Sequence, residues 1–459
     1  MKHQMQVDES IFKAYDVRGI YPDSINEDVA YRIGQGYAKF VNPDGEIMIG
    51  MDVRLHSEAI KNAAIKGLND AGVNVVDVGL MSTDMLYFGV GNYKFAGGLQ
   101  STASHNPPEW HGLKMVEKGP APMTLEHGIS QIKDFVISGE TISAQKKGVV
   151  RKMEIWDDYC KHILSWIDVS KIKPMKVVLN PNFGLGGKIF EKIVEMGNLP
   201  IEIIKLNFEP DGNFPKGRPD PFIPENRVEF SELVKDSGAD LGITWDADSD
   251  RVFFCADRGL FVEPYFLNTV IIKQMLSKHP GEKIVYDPRY TWALLDAINE
   301  NGGTPVISRV GHSYIKEILR GENALFGAES SGHTYYRDYW YSDCGMIPPM
   351  QVLEYLSETG LKLSQVVAPV LSKYFISGEI NSEVEDKEGK MNEIAEKYID
   401  ADVSRLDGVA IEYGDYRFCV RPSNTEPLLR LTLEAKNKEL METKRDEVLA
   451  IIRSGSLSQ

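Results

Sequence analysis

The sequence predicts an α/β protein with three consecutive mixed α/β domains and a smaller C-terminal α+β domain. Short apolar, β-branched runs alternate with amphipathic stretches, and this alternation starts again after Pro174 and near residue 283. After Ser372 the chain becomes charged, and three strand-like runs then precede one final helix. We therefore place the domains at 1–150, 151–256, 257–370 and 371–459.

Each domain is built from recognisable runs. In the first domain, we predict a helix over Ser57–Asp70, capped by Ser57 and stopped by Gly72, and a second helix over Met85–Tyr93. Its strands are Ile47–Met51, Val73–Val78 and Phe95–Leu99. The second domain follows a helical linker, Trp156–Trp166, and has strands at Lys176–Leu179, Ile201–Ile204 and Leu241–Thr244 with helices at Lys188–Met196 and Glu225–Asp236.

Runs of the same kinds predict the strands and helices of the last two domains. The third has strands at Lys283–Tyr286, Pro305–Ser308 and Leu325–Phe326, with helices at Trp292–Asn301 and Tyr314–Arg320. The fourth has β-runs at Gly408–Tyr413, Arg417–Val420 and Leu428–Ala435, and a final helix over Glu439–Ile452.

Composition narrows the classes of partner. The formal net charge of −16 argues against nucleic acids and anionic membranes, because both select basic surfaces. The four cysteines are far apart and form neither a zinc motif nor a disulfide framework, which favours a reducing, cytoplasmic setting. We find no secretory signal, no membrane-spanning run and no indication of an obligate protein partner.

Three carboxylates at alternate positions follow the strand that ends at Thr244. Asp246, Asp248 and Asp250 can converge on a cation, and oxygen ligands favour Mg²⁺ or Ca²⁺ over zinc. An EF-hand would need Gly where Arg251 stands, and strand-like runs flank the cluster. An acidic turn without a metal is the weaker alternative, since close carboxylates repel each other. The cluster therefore predicts a metal site.

A hydroxyl-rich loop follows the strand that ends at Leu99. Ser104 lies at its centre beside His105, and two prolines restrict the path of the chain after it. This arrangement suits a nucleophile that carries a phosphoryl group. A polar turn capped by serine and asparagine side chains is the alternative.

Two further loops also follow strands. Glu329, Ser331 and His333 are suited to sugar hydroxyls, although a polar turn explains them equally. The loop Arg421-Pro-Ser-Asn-Thr-Glu-Pro427 combines a guanidinium with hydroxyls and loop amides, as a phosphate cradle does. Its alternative is a capped turn with Arg421 paired to Glu426. In open α/β sheets, ligands bind at the carboxyl ends of strands, so these loops predict one shared central cleft.

The glycine-rich stretch Asn180-Pro-Asn-Phe-Gly-Leu-Gly-Gly-Lys188 fits neither nucleotide fingerprint. A P-loop needs glycine at Asn182 and Ser or Thr at Ile189, and a dinucleotide fingerprint needs glycine at Ile189. We interpret it as a tight strand-to-helix turn.

The motifs occur in the order of a known family. The chain resembles the α-D-phosphohexomutases, and most closely the bacterial phosphomannomutase/phosphoglucomutase branch, nearly from end to end. The resemblance rests on Tyr15-Asp-Val-Arg-Gly19, Thr102-Ala-Ser-His-Asn-Pro107, Asp246-Ala-Asp-Ser-Asp-Arg251, Glu329-Ser-Ser-Gly-His333 and Arg421-Pro-Ser-Asn-Thr-Glu-Pro427. It implies an enzyme that interconverts hexose 1-phosphate and hexose 6-phosphate, of mannose or glucose, through a phosphoserine and a hexose 1,6-bisphosphate.

The resemblance also implies roles for individual residues. Ser104 would carry the phosphoryl group, and Mg²⁺ would be held by Asp246, Asp248, Asp250 and that phosphate. Lys114 would be a general acid/base. The residues placed around the reacting groups are Arg18, His105, Arg251, His312 and His333. Glu329 and Ser331 would hold sugar hydroxyls, whereas Arg421, Ser423, Asn424 and Thr425 would hold the phosphate that is not transferred. Hexose 1,6-bisphosphate would act as activator.

Two positions depart from the family pattern. The metal loop usually has glycines where this chain has Ala247 and Ser249, so strain is expected if either position needs a positive φ. His111 stands where an asparagine usually precedes the glycine before the lysine.

Three other functions compete with this one. A phosphoglucosamine mutase differs in the sugar it accepts. A non-catalytic cation- or sugar-phosphate-binding module would bind without isomerising, and a phosphatase would release free phosphate.

Overall fold

A computed structural model describes residues 7–423 and 428–454. The chain divides into two compact units. Unit 1 holds the chain up to Val262 and the later segment His333–Leu363, and unit 2 holds Glu263–Gly332 and the chain from Ser364 onward. In the residues described, no helix combines the length and the apolar character needed to cross a bilayer.

The first sheet of unit 1 mixes parallel and antiparallel strands. Its strands are β1 (Val17–Ile20), β2 (Ile47–Met51), β3 (Val75–Leu80), β4 (Gly97–Ser101), β5 (Trp110–Glu117) and β6 (Val150–Lys152). They lie in the order β1-β5-β4-β2-β3-β6, with β5 antiparallel to both neighbours and the rest parallel. The helices are α1 (Glu27–Val41), α2 (Ser57–Asp70), α3 (Thr83–Asn92) and α4 (Ile129–Ser138).

Two glycines allow α1 and α2 to pack closely. A Cβ on Gly34 would lie 2.3 Å from the carbonyl oxygen of Ala64, and one on Gly67 would lie 2.0 Å from that of Tyr31. The predicted helix at α2 is confirmed, but Ser57 is its first residue and not its cap. The Ser57 hydroxyl instead donates to Asp52 Oδ1 at 2.6 Å.

The second sheet of unit 1 carries the acidic loop. Its strands are β7 (Met175–Asn180), β8 (Ile201–Lys205), β9 (Leu241–Trp245), β10 (Val252–Ala256) and β11 (Leu260–Val262). They lie in the order β11-β10-β9-β7-β8, beside α5 (Trp156–Leu164), α6 (Gly186–Met196) and α7 (Val228–Asp236). The glycine-rich stretch is a turn into α6, with Asn182 and Phe183 at φ angles of 48° and 65°.

Unit 2 opens with a parallel sheet. Its elements are α8 (Pro264–Lys278), β12 (Lys283–Tyr286), α9 (Trp292–Glu300), β13 (Thr304–Ile307), α10 (His312–Glu322) and β14 (Phe326–Ala328). Strand β12 lies between β13 and β14 and is parallel to both. The chain then returns to unit 1 for β15 (Thr334–Tyr336), the antiparallel β16 (Ser342–Asp343) and α11 (Ile347–Thr359).

The C-terminal region is the expected smaller α+β domain. Its elements are α12 (Leu363–Lys373), β17 (Phe375–Ile376), β18 (Ile380–Glu383), α13 (Lys387–Lys397), β19 (Asp402–Ser404), β20 (Val409–Glu412), β21 (Tyr416–Pro422), β22 (Leu428–Ala435) and α14 (Lys438–Arg453). The sheet is antiparallel, in the order β17-β22-β21-β20-β19, and β18 also pairs with β22. Three α/β domains followed by this domain confirm the predicted fold class.

Candidate active site

Ser104 lies in the loop after β4, in a left-handed backbone conformation. Its φ angle is 48°, which residues other than glycine rarely adopt. The side chain is buried, and its Oγ donates a hydrogen bond to Asp246 Oδ2 at 3.0 Å. The Oγ atom also lies 3.2 Å from His105 Nδ1. The loop therefore presents this hydroxyl to the acidic turn after β9.

A buried arginine fixes the shape of this loop. The Arg54 guanidinium donates, at 2.6 to 2.9 Å, to the backbone carbonyls of Ser104, Asn106, Pro107 and Trp110. A planar fork of donors suits this task, because a single ammonium group cannot reach four carbonyls in fixed directions. Arg54 was not among the residues that the sequence motifs indicated.

Three buried aspartates form the turn between β9 and β10. One carboxylate oxygen from each of Asp246, Asp248 and Asp250 lies within 4.8 Å of the others. The chain curls at Ser249, whose φ angle is 63°, whereas Ala247 is not in the left-handed region. The strain expected from the missing glycines therefore applies to Ser249 alone.

The donor set of this turn fits a hard divalent cation. Asp248 Oδ1 is buried and accepts no hydrogen bond from the described residues, and Asp250 Oδ1 is buried 3.5 Å from His333 Nε2. A buried carboxylate oxygen without a hydrogen-bond partner destabilises the folded protein, and a bound cation would offset this. The ligands are all oxygens, and the Ser104 hydroxyl lies beside them. The turn therefore supports a divalent metal site.

Lys114 lies in the middle of β5 and is buried rather than exposed. Its Nζ donates to Asp248 Oδ2 at 2.8 Å, to Asp250 Oδ2 at 2.5 Å and to Thr83 Oγ1 at 3.2 Å. Burial opposes the charged form, but the two carboxylates outweigh it and raise the pKa of Lys114. The residue is thus held as an ammonium ion against the acidic turn.

The three carboxylates are electrostatically unequal. Burial, followed by repulsion from the other two, raises the pKa of Asp246 well above its ordinary value. Burial also opposes ionisation of Asp250 and Asp248, but Lys114 outweighs it and holds the pKa of each below its ordinary value. Asp246 is therefore the carboxylate that most needs an added cation to ionise.

Two arginines surround the Ser104 loop. Arg18 Nη1 donates to Asn106 Oδ1 at 2.6 Å, and its Nε pairs with Asp16 Oδ2 at 2.6 Å. Arg251 Nη2 lies 2.7 Å from His105 Nδ1. Burial, and then these two guanidinium groups, lower the pKa of His105 well below its ordinary value, so its ring is neutral.

His333 belongs to the same group of side chains. Its Nε2 lies 3.5 Å from Asp250 Oδ1 and 3.4 Å from Arg251 Nε. With Asp343 it also forms a second buried set around Asp250 whose ligand atoms lie within 4.8 Å of one another. Unit 1 thus brings together most of the residues proposed for phosphoryl transfer: Arg18, Ser104, His105, Lys114, Asp246, Asp248, Asp250, Arg251 and His333.

The sugar-binding candidates lie in unit 2. Glu329 follows β14 and is buried, and Arg289 Nη2 donates to its Oε1 at 3.1 Å. Arg289 also donates to both oxygens of Asp287, at 3.0 and 2.9 Å. Ser331 is half-buried in the same loop, and His312 is the first residue of α10.

The phosphate-binding candidates lie at the end of β21. Arg421 is buried, and its Nη2 donates to Glu379 Oε2 at 3.3 Å. Arg430 Nη1 donates to Glu379 Oε1 at 3.1 Å, and its Nη2 lies 3.4 Å from Ser423 Oγ. The candidates Asn424 and Thr425 fall outside the described residues, as does Glu426, the alternative partner of Arg421.

Comparison with protein families accounts for most of the chain. Residues 9–141, 157–259 and 263–374 match alpha/beta/alpha domains I, II and III of phosphoglucomutase/phosphomannomutase, and residues 379–451 match its C-terminal domain. The chain belongs to this family. It therefore lies within the α-D-phosphohexomutase superfamily, as its motifs predicted, and it is a phosphohexomutase.

The chain is similar to its relatives over nearly their whole length. A protein of Xanthomonas campestris pv. campestris named "Phosphohexose mutases" is 40% identical, covering 96% of this chain and 99% of its own. A phosphomannomutase of Vibrio cholerae is 38% identical, with 96% and 98% covered. A phosphoglucomutase/phosphomannomutase family protein of Burkholderia thailandensis has a similar structure, with a TM-score of 0.88, 28% identity, and 98% and 99% covered. These names do not favour the phosphoglucosamine mutase alternative.

Proposed function

We propose that this phosphohexomutase interconverts hexose 1-phosphate and hexose 6-phosphate, of mannose or glucose, with Ser104 as phosphoryl carrier. The observation that supports this most is the hydrogen bond from Ser104 Oγ to Asp246, within a turn whose other two carboxylates hold Lys114. One hydroxyl, a divalent-metal site and a buried ammonium group are thus assembled within a few ångströms. Phosphoryl transfer needs this combination of positioning and charge neutralisation.

The reaction consists of two opposite transfers. The bond between phosphorus and Ser104 Oγ breaks while one forms to the free hydroxyl oxygen of the sugar phosphate, giving a hexose 1,6-bisphosphate. The other phosphoryl group of the bisphosphate then returns to Ser104. Lys114 is the proposed acid/base at the sugar oxygen, and its ammonium form is the acid. Arg18 and Arg251 stabilise negative charge beside it.

The acidic turn would hold the metal. Asp246, Asp248, Asp250 and the phosphate on Ser104 would bind Mg²⁺, which supplies neutralisation of the charge on the transferring group. His105, neutral and bonded to Arg251, positions that guanidinium beside Ser104.

Residues of unit 2 would bind the rest of the substrate. Arg421, Ser423, Asn424 and Thr425 are proposed for the phosphate that is not transferred, and Glu329 and Ser331 for sugar hydroxyls. His312 of unit 2 and His333 of unit 1 are proposed to act near the reacting groups. We further propose the domain boundaries 1–150, 151–256, 257–370 and 371–459, hexose 1,6-bisphosphate as activator, and a cytoplasmic location.

A coupled assay tests the activity. Mannose 1-phosphate and glucose 1-phosphate are supplied separately with Mg²⁺ and a hexose 1,6-bisphosphate, and the 6-phosphates are measured. We expect turnover of at least one sugar by the wild type and none by Ser104→Ala. Normal turnover by Ser104→Ala would contradict the proposal, and free phosphate released faster than isomer would favour a phosphatase. Glucosamine 1-phosphate as a third substrate tests the phosphoglucosamine alternative.

A further inference from the structure

One carboxylate in unit 2 lies among three guanidinium groups. Glu379, between β17 and β18, is buried with 7% of its side chain exposed. Its Oε1 accepts from Arg430 at 3.1 Å, and its Oε2 accepts from Arg421 at 3.3 Å and lies 3.9 Å from Arg289. These arginines keep the pKa of Glu379 below its ordinary value despite burial, so the carboxylate is charged. Glu379 thus occupies the place of an anion at Arg421.

Arg421 keeps unused capacity for a further anion. Its Nε is buried and has no hydrogen-bond partner among the described residues. A guanidinium has five N–H donors, two of them on Nη2, so a phosphate oxygen can bind at Nε while Glu379 retains a hydrogen of Nη2. The two anions then share the single positive charge of Arg421, so each lowers the affinity of Arg421 for the other.

We propose that Glu379 is a positioning residue that orients Arg421 and moderates how tightly it binds phosphate. The inference rests on the proposed function, in which Arg421 holds the phosphate that is not transferred. That reaction requires moderation, because the cradle must release one phosphate of the bisphosphate and accept the other in each cycle. A cradle without a competing carboxylate would hold the intermediate in one orientation.

The same carboxylate also connects the cradle with the sugar-binding loop. Arg289 lies 3.9 Å from Glu379 and donates to Glu329 at 3.1 Å. Arg289 divides its charge between these groups and Asp287. Phosphate that competes with Glu379 for the charge of Arg421 therefore changes the balance at Glu329. Phosphate and sugar binding are thereby linked through one guanidinium.

Binding of inorganic phosphate tests the inference without turnover. In Glu379→Gln, calorimetry is expected to show the Kd for inorganic phosphate falling about five-fold, because a competing negative charge is removed from a buried site. Glu383→Gln removes the same charge from an exposed position on β18 and is expected to leave the Kd unchanged. In an Arg421→Gln background, Glu379→Gln is expected to have no effect. In the assay, Glu379→Gln should lower KM and kcat together.

Phosphate affinity in a folded Glu379→Gln protein that is equal to or weaker than in Glu383→Gln would overturn the inference. Should the glutamine variant not fold, Glu379→Asp replaces it. Shortening the side chain moves the charge away from Arg421, so tighter phosphate binding of about two-fold is expected, and an unchanged Kd contradicts the inference. If Glu379→Gln binds phosphate more tightly but the wild type has no mutase activity, only the proposed function is refuted. If the wild type is active and Glu379→Gln binds phosphate no more tightly than the wild type, only this inference is refuted.

Discussion

Ser249 adopts a φ angle of 63° in the turn that holds three buried aspartates. Its hydroxyl is buried without a hydrogen-bond partner among the described residues. A non-glycine residue in this region carries a strain of about 1 kcal/mol or more, and an unpaired buried hydroxyl adds to it. The turn is thus maintained against a local preference, because the neighbouring strands β9 and β10 determine where it begins and ends.

Replacing Ser249 with glycine is expected to stabilise the protein. Relief of strain outweighs the added entropy of glycine in the unfolded chain, so the free energy of unfolding should rise by about 1 kcal/mol. Ala247→Gly is the matched control in the same turn. It relieves no positive φ and removes a buried methyl group, so it should destabilise by about 1 kcal/mol. Urea unfolding monitored by tryptophan fluorescence measures both, and equal effects would contradict the argument.

Asp84 is a buried carboxyl group outside the proposed site. It accepts hydrogen bonds from Ser82, from Tyr159 at 2.6 Å and from Cys344 at 3.4 Å. Burial raises its pKa from 3.8 to about 6, although these donors oppose the shift. The unfolded chain therefore releases this proton at lower pH than the folded chain does.

This shift predicts a pH-dependent difference between wild type and Asp84→Asn. Between pH 4 and pH 6 the folded wild type holds a proton that the unfolded chain has lost, so its stability falls as pH rises, by about 3 kcal/mol for this group. Asparagine has no such proton. The free energy of unfolding of the variant minus that of the wild type should therefore rise across this window and then level off. A difference that is the same at pH 4 and pH 7 would count against it.

The residues that the sequence revealed share one property. Asp246, Asp248 and Asp250 are neighbours in the chain, and Ser104 lies in a distinctive local motif, so a short window contains the signal. Arg54, Thr83 and Glu379 bond to Ser104, Asp248 and Arg421, which lie 50, 165 and 42 positions away, and no local pattern marks them. One feature of the sequence could have marked Arg54 as a candidate for the site. It follows β2, at the sheet edge where the predicted loops also lie.

At the scale of elements, one side chain holds much of the loop from Ser104 to Trp110. Arg54 bonds to four of its carbonyls, and Arg218 Nε donates to a fifth, that of His105, at 3.0 Å. The conformation of the proposed nucleophile therefore depends on a residue from the preceding β2–α2 connection.

Substituting Arg54 with lysine should impair phosphoryl transfer more than substrate binding. One ammonium group replaces a fork that reaches four carbonyls, so Ser104 shifts from its position beside Asp246, and a decrease in kcat of about ten-fold or more with little change in KM is expected. Hydrogen exchange of residues 102–107 should become faster in the variant. Arg32→Lys, which loses geometry at the single carbonyl of Val136, is the control and should change neither. Unchanged exchange in Arg54→Lys would exclude the positioning role.

Most elements could be predicted because they follow sequence periodicity. Strands β2, β12 and β22 have the predicted bounds, since each is a short apolar or alternating run between turn residues. Helices α1, α4, α8, α11, α12 and α13 were not predicted, and burial accounts for two of these, α8 and α11. Their residues are buried on nearly all sides, so neither shows the one-sided apolar pattern that marks a surface helix. Strand β5 was missed because Lys114 and His111 interrupt its apolar run.

At the scale of the whole molecule, the chain is more than four domains in sequence, because one later segment belongs to the first unit. The segment His333–Leu363 returns to unit 1, where Tyr339 donates to the carbonyl of Asp84 at 2.7 Å and Trp245 donates to that of Gly345 at 2.8 Å. The sequence indicates where domains of similar architecture begin. It does not indicate this return, because the contacts join residues 100 and 255 positions apart.

Within unit 2, a buried glutamate joins the two domains that compose it. Glu434 on β22 accepts from the Thr291 amide at 2.7 Å, from Arg417 at 3.1 Å and from the Tyr265 hydroxyl. Arg417 also donates to the carbonyls of Pro288 and Arg289. Removing the carboxylate therefore leaves the buried Arg417 guanidinium without its buried counter-ion, and Glu412, which also pairs with it, is 44% exposed.

Glu434→Gln is expected to destabilise unit 2 by about 3 kcal/mol, because breaking one side of a buried pair leaves an uncompensated charge. Glu412→Gln is a matched control, since Glu412 pairs with the same arginine at 3.3 Å but has 44% of its side chain exposed. The free energy of unfolding lost in Glu412→Gln should be below about 1 kcal/mol. Hydrogen exchange across β21 and β22 in urea compares the two, and losses of equal size would refute the anchoring role.

A single-turnover transfer experiment tests the central claim, that one phosphoryl group passes between Ser104 and the sugar, most directly. The enzyme is labelled with ³²P from a labelled hexose bisphosphate, freed of excess reagent, and mixed with unlabelled mannose 1-phosphate and Mg²⁺. We predict that the label lies on Ser104 before mixing and passes to hexose bisphosphate and hexose 6-phosphate within one turnover. Label on another residue, or its release as inorganic phosphate without isomerisation, would contradict the account.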